Sequence, residues 1–175
     1  MAVQGFKYTV SWDTDFRGVD EAPAEFKDRS ARTKASVTLD PAMQARRDKK
    51  DTDYYFVPAT VNVIIKAVKA ESWVLNDKKT DKLLKHEQMH YNISALGGRD
   101  LEKKVLELRD ADGKKLMEKK VTLGKEVQDL IDTVNKSYDA ELLGTHHGQK
   151  DAEQSKWELH LTNLMNDPSG ELKGI

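Results

Sequence analysis

Apolar and polar positions divide this chain into a first half that alternates residue by residue and a second half that repeats every three to four residues. Phe6, Tyr8, Val10 and Trp12 alternate with Lys7, Thr9 and Ser11, which predicts a half-buried strand with one aromatic face. Ala35, Val37 and Leu39 alternate again up to Asp40-Pro41. Val57, Ala59, Val61, Val63, Ile65 and Ala67 form the longest alternating run, and Ser72-Trp73-Val74-Leu75 continues it. These segments predict a central, mostly antiparallel sheet within residues 1–75. Between them, residues 13–34 read as a surface excursion, and the charged run 44–53 reads as a solvated loop or a turn of helix.

After the polar turn 76–80 the period changes. Leu83, His86, His90, Ile93, Gly97, Leu101, Val105 and Leu108 form the stripe of an amphipathic helix turned toward a core, with Thr80 or Asp81 as its cap. Gly97-Gly98 costs this helix about 1 kcal/mol per Gly relative to Ala, so the pair predicts a close contact with a neighbouring segment. Asp110 to Gly113 reads as a turn. Thr122 is placed to cap a second helix presenting Leu123, Val127, Leu130, Ile131, Val134 and Tyr138, and residues 151–165 form a final helix that turns Trp157, Leu161 and Leu164 inward. The expected fold is α+β in one domain spanning residues 1–175, with a β-rich part (1–75), a helical part (76–165) and a loose tail (166–175) marked by Pro168, Gly170 and Gly174.

Composition narrows the function classes. At 175 residues, 38% hydrophobic and 34% charged, the chain suits one soluble domain with a real core. With 29 basic against 30 acidic residues the net charge is -1, which gives no field to gather nucleic acid. No apolar run is long enough for a transmembrane segment, and Met1-Ala2-Val3-Gln4 lacks the charged start and apolar stretch of a signal peptide. There is no Cys, so any zinc must be held by His and carboxylates.

The chemistry lies in His86-Glu87-Gln88-Met89-His90. On a helix, two His four residues apart project from one face and suit one Zn²⁺, with Glu87 beside them as general base for the attacking water. A catalytic zinc takes three protein ligands, so one more is needed. Ile93 and Leu96 stand where the metzincin motif requires Gly and His. Glu102 and Glu107 lie roughly 18 Å or more beyond His90 on a straight helix, at 1.5 Å per residue, and cannot turn back. Asp139, Glu141, His146, His147 and His160 remain as candidates.

LLKHEQMHYNISALGGRDLEKKV, preceded by SWV, and the later YDAELLGTHHGQKDAEQSKWE resemble a bacterial domain-of-unknown-function family whose members are considered secreted zinc-dependent proteases. The resemblance covers roughly residues 55–165. The family's His-Glu-x-x-His helix, helical Arg, Tyr-Asp pair, Thr-x-His-Gly element and Gln-x-x-Trp helix correspond here to His86 to His90, Arg99, Tyr138-Asp139, Thr145 to Gly148 and Gln154 to Trp157. The resemblance implies a zincin-like fold, peptidase activity with one zinc ion, a peptide or protein substrate, and a periplasmic or secreted location. The third ligand is then expected at His147, which matches the His of the Thr-x-His-Gly element and sits on a Gly-flanked loop. Tyr138 or His146 is the expected oxyanion donor, and Arg99, Asp139, Glu141 and His146 are second partners or alternative ligands. A substrate is expected to pair as an added strand near Ser72 to Leu75. The rival reading is a zinc-binding envelope or interaction module without turnover.

Overall fold

Helix α2 (Asp81–Leu106) is the element on which the other parts pack, and its sequence explains both its start and its surroundings. Thr80 caps it by accepting a hydrogen bond from Leu83 N at 3.2 Å, which satisfies one of the first free N–H groups. The computed structural model describes residues 3–40, 45–50, 53–140, 142 and 144–173. In chain order these form α1 (Trp12–Asp15), β1 (Arg17–Val19), a 3-10 turn (Ala24–Phe26), β2 (Ala31–Arg32), β3 (Ala35–Leu39), β4 (Ala45–Lys50), β5 (Asp53–Pro58), β6 (Val63–Ala67), β7 (Trp73–Leu75), a second 3-10 turn (Asn76–Lys78), α2, α3 (Gly113–Asp139) and α4 (Asp151–Asn166). The fold is α+β, with N-terminal sheets and C-terminal helices. Among the described residues no helix is long and apolar enough to cross a membrane.

Among the described residues the β-rich half is three small sheets in place of the expected central one. β7 lies between β1, which pairs with it in parallel, and β2, which pairs antiparallel. β3 pairs antiparallel with β6, and β4 with β5. Because β7 has a neighbour on each side, the expectation that a substrate strand adds at Ser72 to Leu75 is not met. The long alternating run is interrupted after Pro58, which has no N–H to extend a ladder, and resumes at Val63. The charged run is a strand: Arg46 to Lys50 pair with Asp53 to Val57.

Residues 6–12, read as the first strand, are not one. Their backbone polar groups find a side chain instead: Val10 N donates to Gln88 Oε1 at 2.8 Å, and Gln88 Nε2 donates to Tyr8 O at 3.1 Å. Side-chain bonds of this kind compete with a ladder.

α2 is buried on both flanks. A Cβ on Gly97 would lie 2.4 Å from Ile131 of α3, and one on Gly98 would lie 3.0 Å from Ile65 of β6, so the Gly pair marks the close approach that its cost implied. α3 begins at Gly113, where Asp112 accepts from Lys114 N at 2.8 Å, rather than at Thr122; Thr122 sits inside the helix and its hydroxyl bonds back to Glu118 O. The expected loose tail is held in place as far as Lys173. Arg99 Nη1 donates to Leu164 O at 3.0 Å and to Asp167 O at 2.9 Å, while its Nη2 donates to Gly170 O. Leu172 is buried, and its N donates to Asp100 Oδ2 at 2.6 Å.

A candidate metal centre at the start of α2

His86 and His90 stand one turn apart on the buried face of α2. α3 folds back along α2, so that its last residue, Asp139, returns to the level of the motif. His86 Nε2 and His90 Nε2 are 3.2 Å apart, and Asp139 Oδ1 lies 3.2 Å from the first and 3.1 Å from the second. Three ligand atoms at bond lengths of about 2.0 to 2.1 Å from one tetrahedral ion would be separated by about 3.3 Å, close to this triangle.

The outer ring atoms decide what the inner ones present. His86 Nδ1 lies 3.1 Å from Gln154 Oε1, and His90 Nδ1 lies 2.7 Å from Asn135 Oδ1. The Gln154 amide is oriented by two further bonds: Tyr138 donates its hydroxyl to Oε1 at 2.8 Å, and Nε2 donates to Glu158 Oε1 at 2.9 Å. With carbonyl oxygens as partners, both Nδ1 atoms carry the proton, and each Nε2 turns a lone pair inward. Two lone pairs and a carboxylate oxygen then converge. Asp139 Oδ1 is itself buried without a hydrogen-bond donor. Such an arrangement calls for a positive charge at its centre, and His86, His90 and Asp139 fit a divalent ion.

Without an ion, a proton takes that role. Burial works against a charged His90, yet the Asp139 carboxylate beside it, with help from Glu87 and Asn135, outweighs that and pushes the imidazole up to about 9. Burial alone would raise the Asp139 carboxyl, but the positive charge on His90, with the His147 and His86 imidazoles beside the carboxylate, holds it far below the usual carboxylate range.

Asp139 Oδ2 points away from the triangle and has two partners, Arg29 Nη1 at 3.2 Å and His147 Nδ1 at 3.4 Å. The structure therefore brings Asp139 to the histidine pair and places His147, expected as the third ligand, against the far oxygen of that carboxylate. The cause is local: Asp139 is carried by a helix packed on α2, whereas His147 lies on a left-handed turn in which His146, His147 and Gly148 have φ of 49°, 53° and 78°. Thr145 pins this turn, its hydroxyl donating to Tyr138 O at 2.7 Å and accepting from Gly148 N at 3.3 Å. Gly148 packs against His86, where a Cβ would come within 3.1 Å of the ring.

The other expected site residues divide. Glu87 is 2% exposed and lines the same cavity, with Oε2 accepting from Thr33 Oγ1 at 2.7 Å. Tyr138 is fully buried behind the histidine pair: its ring stacks on His86 at 4.7 Å, and its hydroxyl is engaged by Gln154, so it supports His86 and does not face the cavity. Burial, above all, raises that hydroxyl well beyond its ordinary range. Arg99 lies more than three turns along α2, at the tail, and meets neither Asp139 nor the motif. His146 contributes its backbone N to Ala140 O, and His160 faces Lys173 O at 3.0 Å. Glu141 falls outside the described residues.

Arg29, Thr33 and Asn135 were not anticipated, and Gln154 was quoted without a role. Asn135 had a signal, because it precedes Asp139 by one helical turn and shares its face. Thr33 and Arg29 come from a loop with no periodicity to place them. A cavity of about 490 Å³ opens onto the triangle, walled by Phe26, Arg29, Arg32, Thr33, Leu83 and Glu87 among others.

The chain belongs to a bacterial family: the model described as "Bacterial protein of unknown function (DUF922)" matches residues 3–148. The match extends further toward the N-terminus than the resemblance in sequence and stops before α4. No curated protein and no solved structure matches the chain.

Proposed function

We propose that this protein is a zincin-like, zinc-dependent peptidase, in which His86, His90 and Asp139 hold one zinc ion and Glu87 is the general base. The observation that carries the reading is the placement of a buried carboxylate, Glu87, next to a triangle of inward-facing lone pairs at the wall of an open cavity. When bound, the ion would supply positive charge to polarise a substrate carbonyl and to lower the pKa of a water toward about 7.

The chain's own residues would do the rest. Thr33 donates to Glu87 Oε2 and so orients the carboxylate, leaving Oε1 to take the proton of the attacking water and pass it to the departing amine. Gln154 and Asn135 keep both imidazoles in the tautomer whose Nε2 is free to ligate. Arg29 and His147 compensate the second oxygen of Asp139, which favours one-oxygen ligation by the first. In place of β7, the segment from Ala31 to Ala35 lines the cavity and is the backbone along which an extended peptide would lie.

Glu87→Gln tests this. The variant should retain its zinc, measured by plasma emission, while hydrolysis of a peptide library falls by several orders of magnitude. Wild-type protein that holds zinc and cleaves nothing would favour the rival, an interaction module without turnover.

A further inference from the structure

We infer that the cavity takes a substrate carboxylate, held by Arg32 together with Arg29 against Phe26; this rests on the peptidase reading and adds the chemical class of its substrate. Both guanidiniums lie over the Phe26 ring, Arg32 at 4.5 Å and Arg29 at 5.6 Å from its centroid, and all three residues line the cavity. An arginine stacked on an aromatic ring keeps its donor edge free and loses little rotamer freedom on binding, so the pair is pre-organised for a planar acceptor. Arg29 is already bonded to Asp139, which sets this anchor one carboxylate away from the metal triangle.

The charge pairing around the cavity points the same way. Every carboxylate in its wall has a partner: Asp28 has His147, Asp77 has Lys78, Glu87 has Thr33, Asp132 has Gln128, and Asp139 has Arg29 and His147. Among the described residues Arg32, Lys34 and Lys136, also in the wall, have no carboxylate partner. Thr33 and Gln128 are uncharged, so Glu87 and Asp132 keep their own charge; the wall feature that calls for an anion is the guanidinium of Arg32, which stacks on Phe26 with no carboxylate partner among the described residues. A forked guanidinium binds a carboxylate through two parallel hydrogen bonds, and that bidentate geometry makes the site selective for position as well as charge. The carboxylate comes either from an acidic side chain or from the free C-terminus of a peptide.

The experiment uses zinc-loaded Glu87→Gln, so that binding is read without turnover. Octapeptides of one sequence, each labelled with a fluorophore, carry Gln, Glu or Lys at every position in turn, with free or amidated ends, and affinity is read by anisotropy. The expected result is binding at least tenfold tighter for Glu than for Gln at one or two positions, or for the free terminus over the amide. Adding Arg32→Gln should collapse that ratio toward one. The two positive outcomes assign the carboxylate to a side chain or to the chain terminus. Equal affinity of charged and neutral peptides, a gain spread evenly over all positions, or a ratio unchanged by Arg32→Gln would overturn the inference. Charge-dependent binding alongside a wild-type protein that cleaves none of these peptides would count against the peptidase reading alone.

Discussion

His147 Nδ1 stands 3.4 Å from Asp139 Oδ2, while Asp139 Oδ1 faces His86 and His90 at 3.2 and 3.1 Å. One carboxylate therefore separates the two kinds of histidine, with the motif pair on its inner oxygen and the loop histidine on its outer one. His147 in turn lies 3.7 Å from Asp28 Oδ2, so it links Asp139 to the loop that walls the cavity.

This relationship makes unequal demands on the two residues. Asp139→Ala removes an oxygen from the triangle and should abolish stoichiometric zinc. His147→Ala removes only a support of that oxygen and should retain zinc with affinity reduced about 10- to 100-fold, the usual cost of losing an outer partner. Competition against a fluorescent chelator measures both. Loss of zinc in His147→Ala with retention in Asp139→Ala would return the third position to the histidine.

The raised pKa of His90 gives a pH dependence whose sign can be worked out. In the ion-free protein the folded value is about 9, against an ordinary 6.5, so the stability it contributes is complete below about pH 6.5 and is lost as pH rises through 9. Asp139 acts in the opposite sense, its contribution being present at ordinary pH and lost only in acid. Chelator-treated protein should therefore melt at lower temperature at pH 9.5 than at pH 6.5. An ion in the triangle displaces the same proton. Calorimetric titration at pH 7.5 in buffers of different ionisation enthalpy should show about one proton released per zinc bound.

Legibility in the sequence followed the range of the interactions. The motif helix, its start at a cap of Thr80 or Asp81, and the last helix were readable because a 3.6-residue period and a cap are properties of neighbours in the chain. The Gly97-Gly98 contact was readable from its cost. The first strand was misread because Phe6 to Trp12 alternates, and nothing near it shows that Gln88, some eighty residues on, takes its backbone groups. His147 was expected at the position that the structure gives to Asp139, for a related reason. A Gly-flanked loop has the freedom to reach the histidines that a helix end lacks, but the direction of Asp139 is set by the packing of α3 on α2. Arg99 was drawn toward the site by its place on the motif helix, although its partners are carbonyls beyond residue 160.

Arg99 supplies a test that separates fold from site. Its guanidinium is largely buried and satisfies three carbonyls at the end of α4 and in the tail, with Asp100 4.0 Å away. Arg99→Met leaves those acceptors unpaired and should cost about 3 kcal/mol or more, since hydrogen bonds to charged groups contribute about 1.5 to 3 kcal/mol each. Chemical denaturation should show that loss while the zinc stoichiometry of the folded protein stays at one. Zinc loss from folded Arg99→Met would place Arg99 in the site after all.

Gly148 joins the left-handed turn to His86 and carries a sharp steric demand near the triangle. Its φ of 78° is a conformation that any side chain adopts with strain, and an added Cβ would lie 3.1 to 3.2 Å from Cγ, Cβ and Nδ1 of His86. The ring has little room to yield, because Tyr138 stacks on it at 4.7 Å, and it cannot rotate without breaking the bond to Gln154. Gly148→Ala must therefore move the turn, and with it His147 and the support of Asp139. The expected result is a loss of about 1 to 3 kcal/mol in stability, combining left-handed strain with overpacking, together with a drop in zinc affinity. Gly124→Ala is the control, since a Cβ there meets nothing within 4 Å and gains helix propensity on α3. A Gly148→Ala protein that melts and binds zinc like the Gly124→Ala control would show that the turn does not brace His86.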